Sequence, residues 1–126
     1  MDSIDYYNRY AAPYYEATVD LDMSEIMQPF IDLLPEDAEV LDLGCGSGRD
    51  SLALEEHGFY VSPMDGSEEM CKLASIYLDK EVLHLTFEEM DFDEVFDGIW
   101  ACASLVHVHP EKMPMILKKI FHALKP

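Results

Sequence analysis

The chain has 126 residues, of which 49% are apolar, so it is long enough for one small folded domain and too apolar for a disordered one. Eight basic residues against 26 acidic ones give a formal net charge of −18. A field of that sign repels phosphate backbones and anionic membrane surfaces, so neither nucleic acid nor membrane is expected as a partner. The apolar runs are too short to span a membrane, and residues 1–10 lack the basic and apolar blocks of a signal peptide.

Three cysteines occur in the chain, at Cys45, Cys71 and Cys102. Their odd number and their spacings match no zinc pattern, so no metal site is expected. Cys45 lies among glycines and Cys102 lies in an apolar run, which indicates small, buried and reduced side chains. Reduced cysteines are typical of the cytoplasm, where we expect the protein to reside.

The first third of the chain predicts two helices. Tyrosines recur every three or four residues between Tyr6 and Thr18, which places aromatic side chains on one side of a helix. Asp22 and Glu25 have the spacing of a capping box and predict the start of a second helix. Pro29 is expected to kink or restart that helix.

These helices predict a helical cap at residues 1–37, followed by a core at residues 38–126, within one domain. In the core, apolar runs and helical segments alternate, which is typical of a parallel sheet flanked by helices. We expect strands at 39–43, 59–64, 82–86 and 97–103, and helices at 49–57, at 67–78 and from Pro110 onward.

The first predicted strand runs into a glycine-rich loop, Gly44-Cys45-Gly46-Ser47-Gly48, and a predicted helix follows. Glycine permits positive φ and lets a ligand approach the backbone, and the first turn of a helix offers unpaired N–H groups. The loop therefore suits a nucleotide-like ligand at the carboxyl end of the strand. The dinucleotide fingerprint G-x-G-x-x-G needs its third glycine where this chain has Arg49, so the pattern disfavours NAD.

Two aspartates are placed to contact such a ligand. Asp65 ends the second predicted strand about 20 residues after Gly44, where a carboxylate can accept hydrogen bonds from both hydroxyls of a ribose. A turn or helix-cap role for Asp65 is the alternative. Asp42 ends the first strand and is expected to face the ammonium end of the ligand, directly or through water, the alternative being a structural role at the strand end.

Several segments of the chain resemble the motifs of class I S-adenosylmethionine-dependent methyltransferases. Val40–Asp50 resembles their glycine-rich first motif, Val61–Met70 the second and Phe96–His107 the motif of the fourth strand, and Leu124–Pro126 matches the end of the helix after that strand. Within the class, the chain is most similar to the bacterial tellurite-resistance-like methyltransferases. The resemblance implies a Rossmann-like α/β fold with a parallel sheet of order 3-2-1-4, S-adenosylmethionine as the cofactor and S-adenosylhomocysteine as its product.

The resemblance also implies a set of cofactor-binding residues that extends from the helical cap to the end of the fourth strand. Asp65 holds the ribose in this scheme, and Asp42 lies towards the methionine end. The other members are Tyr14 and Thr18 over the site; Gly44, Cys45 and Gly46 along the methionine part; Gly66, Ser67, Thr86, Phe87 and Glu88 around the adenine; and Cys102, Ala103 and Ser104 where the transferred methyl group points.

Members of the family continue past the segment matched by Leu124–Pro126 with three more strands, so the resemblance implies a sheet that lacks strands 5–7. The fourth strand, 97–103, would then form an apolar and unprotected edge, which invites pairing with another chain. We therefore expect either a truncated domain or a homodimer that covers this edge. Because the missing part shapes the acceptor pocket in the family, catalysis by this chain alone is less secure than cofactor binding.

The leading functional hypothesis is a methyltransferase that acts on a small-molecule acceptor. His107, just past the fourth strand, is the candidate general base, with a pocket-lining or hydrogen-bonded histidine as the alternative. His107 and His109 form an H-x-H pair, but no further ligand at a suitable spacing supports a metal. A second hypothesis is a cofactor-binding module without activity of its own, which completes its sheet on a partner. A third is an NAD-dependent oxidoreductase.

Overall fold

The protein is described by a computed structural model that covers residues 3–102, 105 and 108–126. Its four strands form one parallel sheet of order β3-β2-β1-β4, with helices packed against it, which confirms the predicted fold class. In chain order the elements are α1 (Ser3–Thr18), α2 (Ser24–Asp32), β1 (Glu39–Leu43), α3 (Arg49–Glu56), β2 (Tyr60–Asp65), α4 (Glu68–Leu78), β3 (Leu83–His84), β4 (Gly98–Trp100) and α5 (Met113–Ala123).

The core lies on both faces of β1, the central strand of the sheet. Val40 packs on one face against a cluster that includes Met27 of α2 and Leu54 of α3. Leu41 and Leu43 pack on the other face against the apolar residues of the segment after β3 and of α5. Because both faces are covered, β1 is an almost continuous apolar run instead of an alternating one.

The helices differ from the predictions at three places. Asp22 forms no capping box with Glu25; its carboxylate accepts the N–H of Ser24 at 3.0 Å instead. The kink lies in α1, at Tyr10 with φ −113° and ψ 22°, because Pro13 lacks an N–H and its ring crowds the preceding turn. The last helix begins at Met113, after a turn, so that Pro114 and not Pro110 occupies its first turn.

Both outer strands are shorter than predicted. β3 ends at His84 because Thr86 leaves the ladder and forms a reciprocal pair with Glu89: the Thr86 N–H donates to Oε1 of Glu89, and the Glu89 N–H donates to Oγ1 of Thr86. β4 ends at Trp100, and Ala103, the predicted last residue of that strand, lies outside the described residues.

The segment just before β4 pairs with the last residues of the chain. The N–H of Phe96 donates to the carbonyl of Ala123 at 3.0 Å, and the N–H of Lys125 donates to the carbonyl of Phe96 at 2.9 Å. These bonds place Leu124 beside Phe96 as a parallel bridge. The last residues of the chain therefore pair with Phe96, just before the predicted edge strand 97–103, and not with β4 itself.

Candidate functional site

The glycine-rich loop connects the end of β1 to the start of α3. Its three glycines all have positive φ, 75° at Gly44, 56° at Gly46 and 90° at Gly48, a region that side chains with a Cβ rarely adopt. The N–H groups of Gly44 and Cys45 both donate to the carbonyl of Met64, at 2.9 and 2.8 Å, which ties the loop to β2. The loop shape thus depends on glycine at these alternate positions.

Replacing Gly48 with alanine is expected to destabilise the fold by roughly 2–4 kcal/mol, from backbone strain plus a steric clash. The φ of 90° disfavours any Cβ, and a Cβ there would lie 3.1 Å from the side chain of Leu78. Gly58→Ala is the matched control, since Gly58 has a φ of 89° but nothing within 4 Å of the new atom. Urea unfolding of both variants measures the difference, and equal losses would show that the Leu78 contact costs nothing.

A cavity of about 770 Å³ lies at the carboxyl ends of the strands. The loops that follow all four strands open into it, and α1 closes it from the side. Such a position is where open α/β sheets bind their ligands, and the volume suits a small-molecule cofactor. Of the residues predicted for the site, those that line the cavity are Tyr14, Gly44, Gly46, Asp65, Gly66, Thr86, Phe87, Glu88 and Cys102.

Asp65 joins the cavity to the glycine-rich loop. One oxygen of its carboxylate accepts the N–H of Gly46 at 2.9 Å, and the other accepts the N–H of Ser67 at 2.9 Å. Burial raises the pKa of Asp65, while the backbone N–H groups act in the opposite direction because they favour its charged form. A carboxylate oxygen can accept more than one hydrogen bond, so capacity remains for hydroxyl donors in the cavity.

Asp42 lies beneath the loop instead of lining the cavity. Its side chain is 2% exposed and accepts a hydrogen bond from the Ser51 hydroxyl at 2.7 Å. Burial raises its pKa to about 7, with further contributions from the negative charges of Asp50 and Asp65. A cation placed above the loop would favour the charged form of this carboxylate.

Helix α1 supplies the side wall of the cavity. Tyr14 lies against the loop, since its ring carbon Cε1 is 3.4 Å from the position that a Cβ on Gly46 would take. The ring centroids of Tyr14 and Tyr7 are 5.0 Å apart, and Ile4 and Tyr7 line the same cavity. Burial raises the pKa of both tyrosines, so they are neutral hydrogen-bonding groups at neutral pH. Tyr7 and Ile4 were not predicted for the site.

Asn8 fastens the first half of α1 to the start of α4. Its Oδ1 accepts the Ser67 hydroxyl at 2.6 Å and the N–H of Glu69 at 3.2 Å. Ser67 in turn accepts the N–H of Met70, as the cap of α4, and is 1% exposed. Ser67, predicted beside the adenine, therefore serves helix capping and does not line the cavity.

Two more predicted residues lie near the cavity without lining it. The Thr18 hydroxyl donates to the carbonyl of Tyr14 at 2.8 Å, one turn earlier in α1. The Cys45 side chain is buried in an apolar cluster with Cys71 and Ala74, and burial raises the pKa of its thiol. Both residues support the surroundings of the cavity.

The part of the cavity that follows β4 is where the methyl acceptor is predicted to bind. Ala103, Ser104 and His107, predicted there, lie outside the described residues. His109 and Lys112 line the cavity, and His109 Nδ1 accepts the N–H of Glu111 at 3.3 Å. His109 belongs to the H-x-H pair of the sequence. Lys112 lies in the turn before α5 and belongs to no sequence motif that could have indicated it.

No group of three or more His, Cys, Asp or Glu side chains among the described residues could hold a metal ion. No helix in the described part of the chain is long and apolar enough to cross a membrane.

Residues 40–126, more than half of the chain, match the family model of a methyltransferase domain. The chain belongs to this methyltransferase family. A Staphylococcus carnosus protein described as an uncharacterized methyltransferase is 32% identical in an alignment of 121 residues that covers 90% of this chain and 58% of that protein. A ubiquinone biosynthesis O-methyltransferase of Rickettsia typhi is 28% identical over 70% of this chain and 37% of its own length. The chain thus spans less than two thirds of the length of each of these relatives.

Solved structures place the same family on this fold. A S-adenosylmethionine-dependent methyltransferase of Methanosarcina mazei has a TM-score of 0.71 and 31% identity, over 84% of this chain and 55% of that one. A putative methyltransferase of Haloferax volcanii, in complex with the Trm112 activator, has a TM-score of 0.77 and 26% identity, over 98% of this chain and 56% of that one. A TehB-like methyltransferase of Corynebacterium glutamicum has a TM-score of 0.76 over 95% of this chain and 67% of that one. Because its identity is 21%, it supports the fold alone. Together with the family match, the Methanosarcina mazei neighbour confirms the predicted cofactor, S-adenosylmethionine.

Proposed function

We propose that this chain is the cofactor-binding part of an S-adenosylmethionine-dependent methyltransferase that acts on a small-molecule acceptor. The observation that carries the proposal is the bond between Asp65 and Gly46, which joins the ribose-binding carboxylate to the glycine-rich loop on the wall of one cavity. A loop whose glycines place no Cβ between the backbone and the cavity, with a carboxylate at the next strand end, suits a nucleoside with a charged tail.

In this proposal each part of the cofactor meets a different strand end. Gly44 and Gly46 line the methionine part, and Asp42 stabilises the ammonium group from below the loop. Asp65 accepts the ribose hydroxyls. Gly66 and the segment 86–88 surround the adenine, because these residues line the cavity next to Asp65. Cys102, which lines the cavity after β4, would then lie beside the transferred methyl group, on the acceptor side.

S-adenosylmethionine supplies a methyl group on a sulfonium, which is transferred by in-line displacement. The residues of this chain therefore act mainly by holding the two reactants in line and by excluding water. Tyr14 covers the loop, and His109 offers a proton on Nε2 to the acceptor, since its Nδ1 already accepts the Glu111 N–H. A general base, for which His107 remains the candidate, is needed only if the acceptor must lose a proton.

The small-molecule acceptor is supported by the Rickettsia typhi relative, a ubiquinone biosynthesis O-methyltransferase. The net charge of −18 supports an acceptor other than nucleic acid. The cytoplasmic location stays a prediction.

A module that binds the cofactor without activity is the second candidate, since the chain spans 58% of the Staphylococcus carnosus relative and 37% of the Rickettsia typhi relative.

Pairing through β4 belongs to the same proposal. β4 is an outer strand of the sheet, and the pairing with Leu124 and Lys125 lies at Phe96, before β4 begins. The Haloferax neighbour is in complex with an activator protein, which supports a partner for this chain as well. We expect a homodimer in light scattering, and a monodisperse monomer would contradict the pairing.

Calorimetry of the purified chain with three ligands tests the cofactor proposal. We expect S-adenosylmethionine and S-adenosylhomocysteine to bind and NAD to give no heat, since Arg49 occupies the third glycine position of the dinucleotide fingerprint. Binding of NAD alone would contradict the proposal. A methyl-transfer assay on the chain then separates the enzyme from the inactive module.

A further inference from the structure

Arg49 connects several elements of the fold by polar contacts beside the proposed cofactor site. It is the first residue of α3, directly after the glycine-rich loop, and its side chain is 19% exposed. Its Nε donates to Oδ1 of Asp50 at 2.9 Å and its Nη2 donates to Oδ2 of Asp50 at 3.3 Å. Its Nη1 donates to the carbonyl of Thr18, the last residue of α1, at 3.4 Å. The guanidinium therefore connects the two helices that meet at the loop.

Asp50 holds the guanidinium in place and extends the connection to β4. Its side chain is 8% exposed, and its Oδ2 also accepts the indole N–H of Trp100, the last residue of β4, at 2.9 Å. A buried carboxylate with three N–H donors on it has a fixed orientation, because breaking any of these bonds would leave a charged group poorly satisfied.

The kink of α1 gives this connection its importance. The Asn8 contact fastens the helix on one side of the kink at Tyr10, whereas Tyr14 lies on the other side. Tyr14 and Thr18 are one turn apart and are linked by the bond from the Thr18 hydroxyl to the Tyr14 carbonyl. Arg49 is therefore the polar contact, among those of the described residues, that fixes the half of α1 that carries Tyr14.

We infer that Arg49 is a positioning residue, which holds the last turn of α1 against the start of α3 and thereby keeps Tyr14 over Gly46 and over the bound cofactor. The inference rests on the proposed function, because it concerns retention of the same cofactor. Lysine cannot replace arginine here, since one ammonium group cannot hold both carboxylate oxygens and also reach the Thr18 carbonyl.

The test compares Arg49→Lys with Arg9→Lys, the other arginine of the chain, which is exposed on the same helix α1. For Arg49→Lys we expect S-adenosylhomocysteine to bind about tenfold more weakly, through faster dissociation, a loss equal to about 1.4 kcal/mol. Hydrogen exchange should accelerate at the amides of residues 11–18 and stay unchanged in α3. Arg9→Lys should change neither measurement.

Wild-type affinity of Arg49→Lys for S-adenosylhomocysteine would overturn the inference. Hydrogen exchange that accelerates in α3 as much as in α1 would also overturn it, because that result would indicate a residue that merely stabilises its own helix. If Arg49→Lys does not fold, Trp100→Phe replaces it, because it removes the indole donor to Asp50 and keeps an aromatic ring beside Phe30. Its exchange should then accelerate at residues 11–18, and unchanged exchange there would overturn the inference. Failure of the wild type to bind S-adenosylhomocysteine would contradict the proposed function instead, and the exchange comparison would still decide the role of Arg49.

Discussion

Asp65→Asn is expected to weaken S-adenosylhomocysteine binding about a hundredfold. The carboxylate accepts the N–H groups of Gly46 and Ser67 on separate oxygens, so an asparagine must direct its NH₂ group at one of these donors. The substitution thus distorts the loop and also removes a charged acceptor for the ribose hydroxyls. Hydrogen bonds to charged groups contribute about 1.5–3 kcal/mol, and about 2.7 kcal/mol corresponds to a hundredfold change.

Asp97→Asn is the matched control for this experiment. Asp97 also accepts a backbone N–H, from Glu39 at 2.8 Å, but it lies just before β4, at the opposite end of the strand from the cavity. Calorimetry should show wild-type affinity for this control. Wild-type affinity in a folded Asp65→Asn would remove Asp65 from the proposed ribose site.

Asp42→Asn is expected to remove most of a pH dependence from the stability of the wild type. The folded state holds the Asp42 pKa at about 7, above the usual value of 3.8, so folding favours the protonated form. The associated stability is fully present below about pH 4 and is lost as the pH rises through about 7. At about 1.4 kcal/mol for each pKa unit, the loss is at most about 4 kcal/mol.

Urea unfolding at pH 5 and pH 8 measures this effect as the difference between the wild type and the variant. The asparagine can still accept the Ser51 hydroxyl and never becomes charged, so above pH 7 it should be the more stable protein. Asp20→Asn, at an exposed position, should keep the pH dependence of the wild type. If the free energy of unfolding changed with pH equally in the wild type and in Asp42→Asn, the ionisation of Asp42 would not destabilise the fold.

The parts of the fold and site that follow from short sequence patterns could be predicted. The glycine-rich loop and the place of Asp65 depend on apolar runs and on glycine spacing, which are local, whereas the strand order was implied by the resemblance to the methyltransferases. The contact between Asn8 and Ser67 joins residues 59 positions apart, and nothing in the neighbourhood of Asn8 in the sequence indicates it. The early end of β3 depends on a side-chain bond between Thr86 and Glu89, which competes with the strand ladder.

Asp42 illustrates the same limit within the site. Its position at the end of β1 was predicted from the sequence. Its burial depends on Ser51, which α3 brings over it, and therefore on how tightly the glycine-rich loop turns. A position in a motif thus indicates that a residue is near the ligand, whereas packing decides whether it lines the cavity or supports it from below.

The bond between Trp100 and Asp50 has a practical consequence. Trp100 is the one tryptophan of the chain, and its indole N–H is held by a buried carboxylate next to the start of α3, while its ring packs on Phe30. Indole emission responds to the charge and hydration of such surroundings. Changes at the glycine-rich loop should therefore be visible in the intrinsic fluorescence of the unlabelled protein, with Trp100→Phe as the blank, so that ligand titrations and stopped-flow kinetics need no added dye.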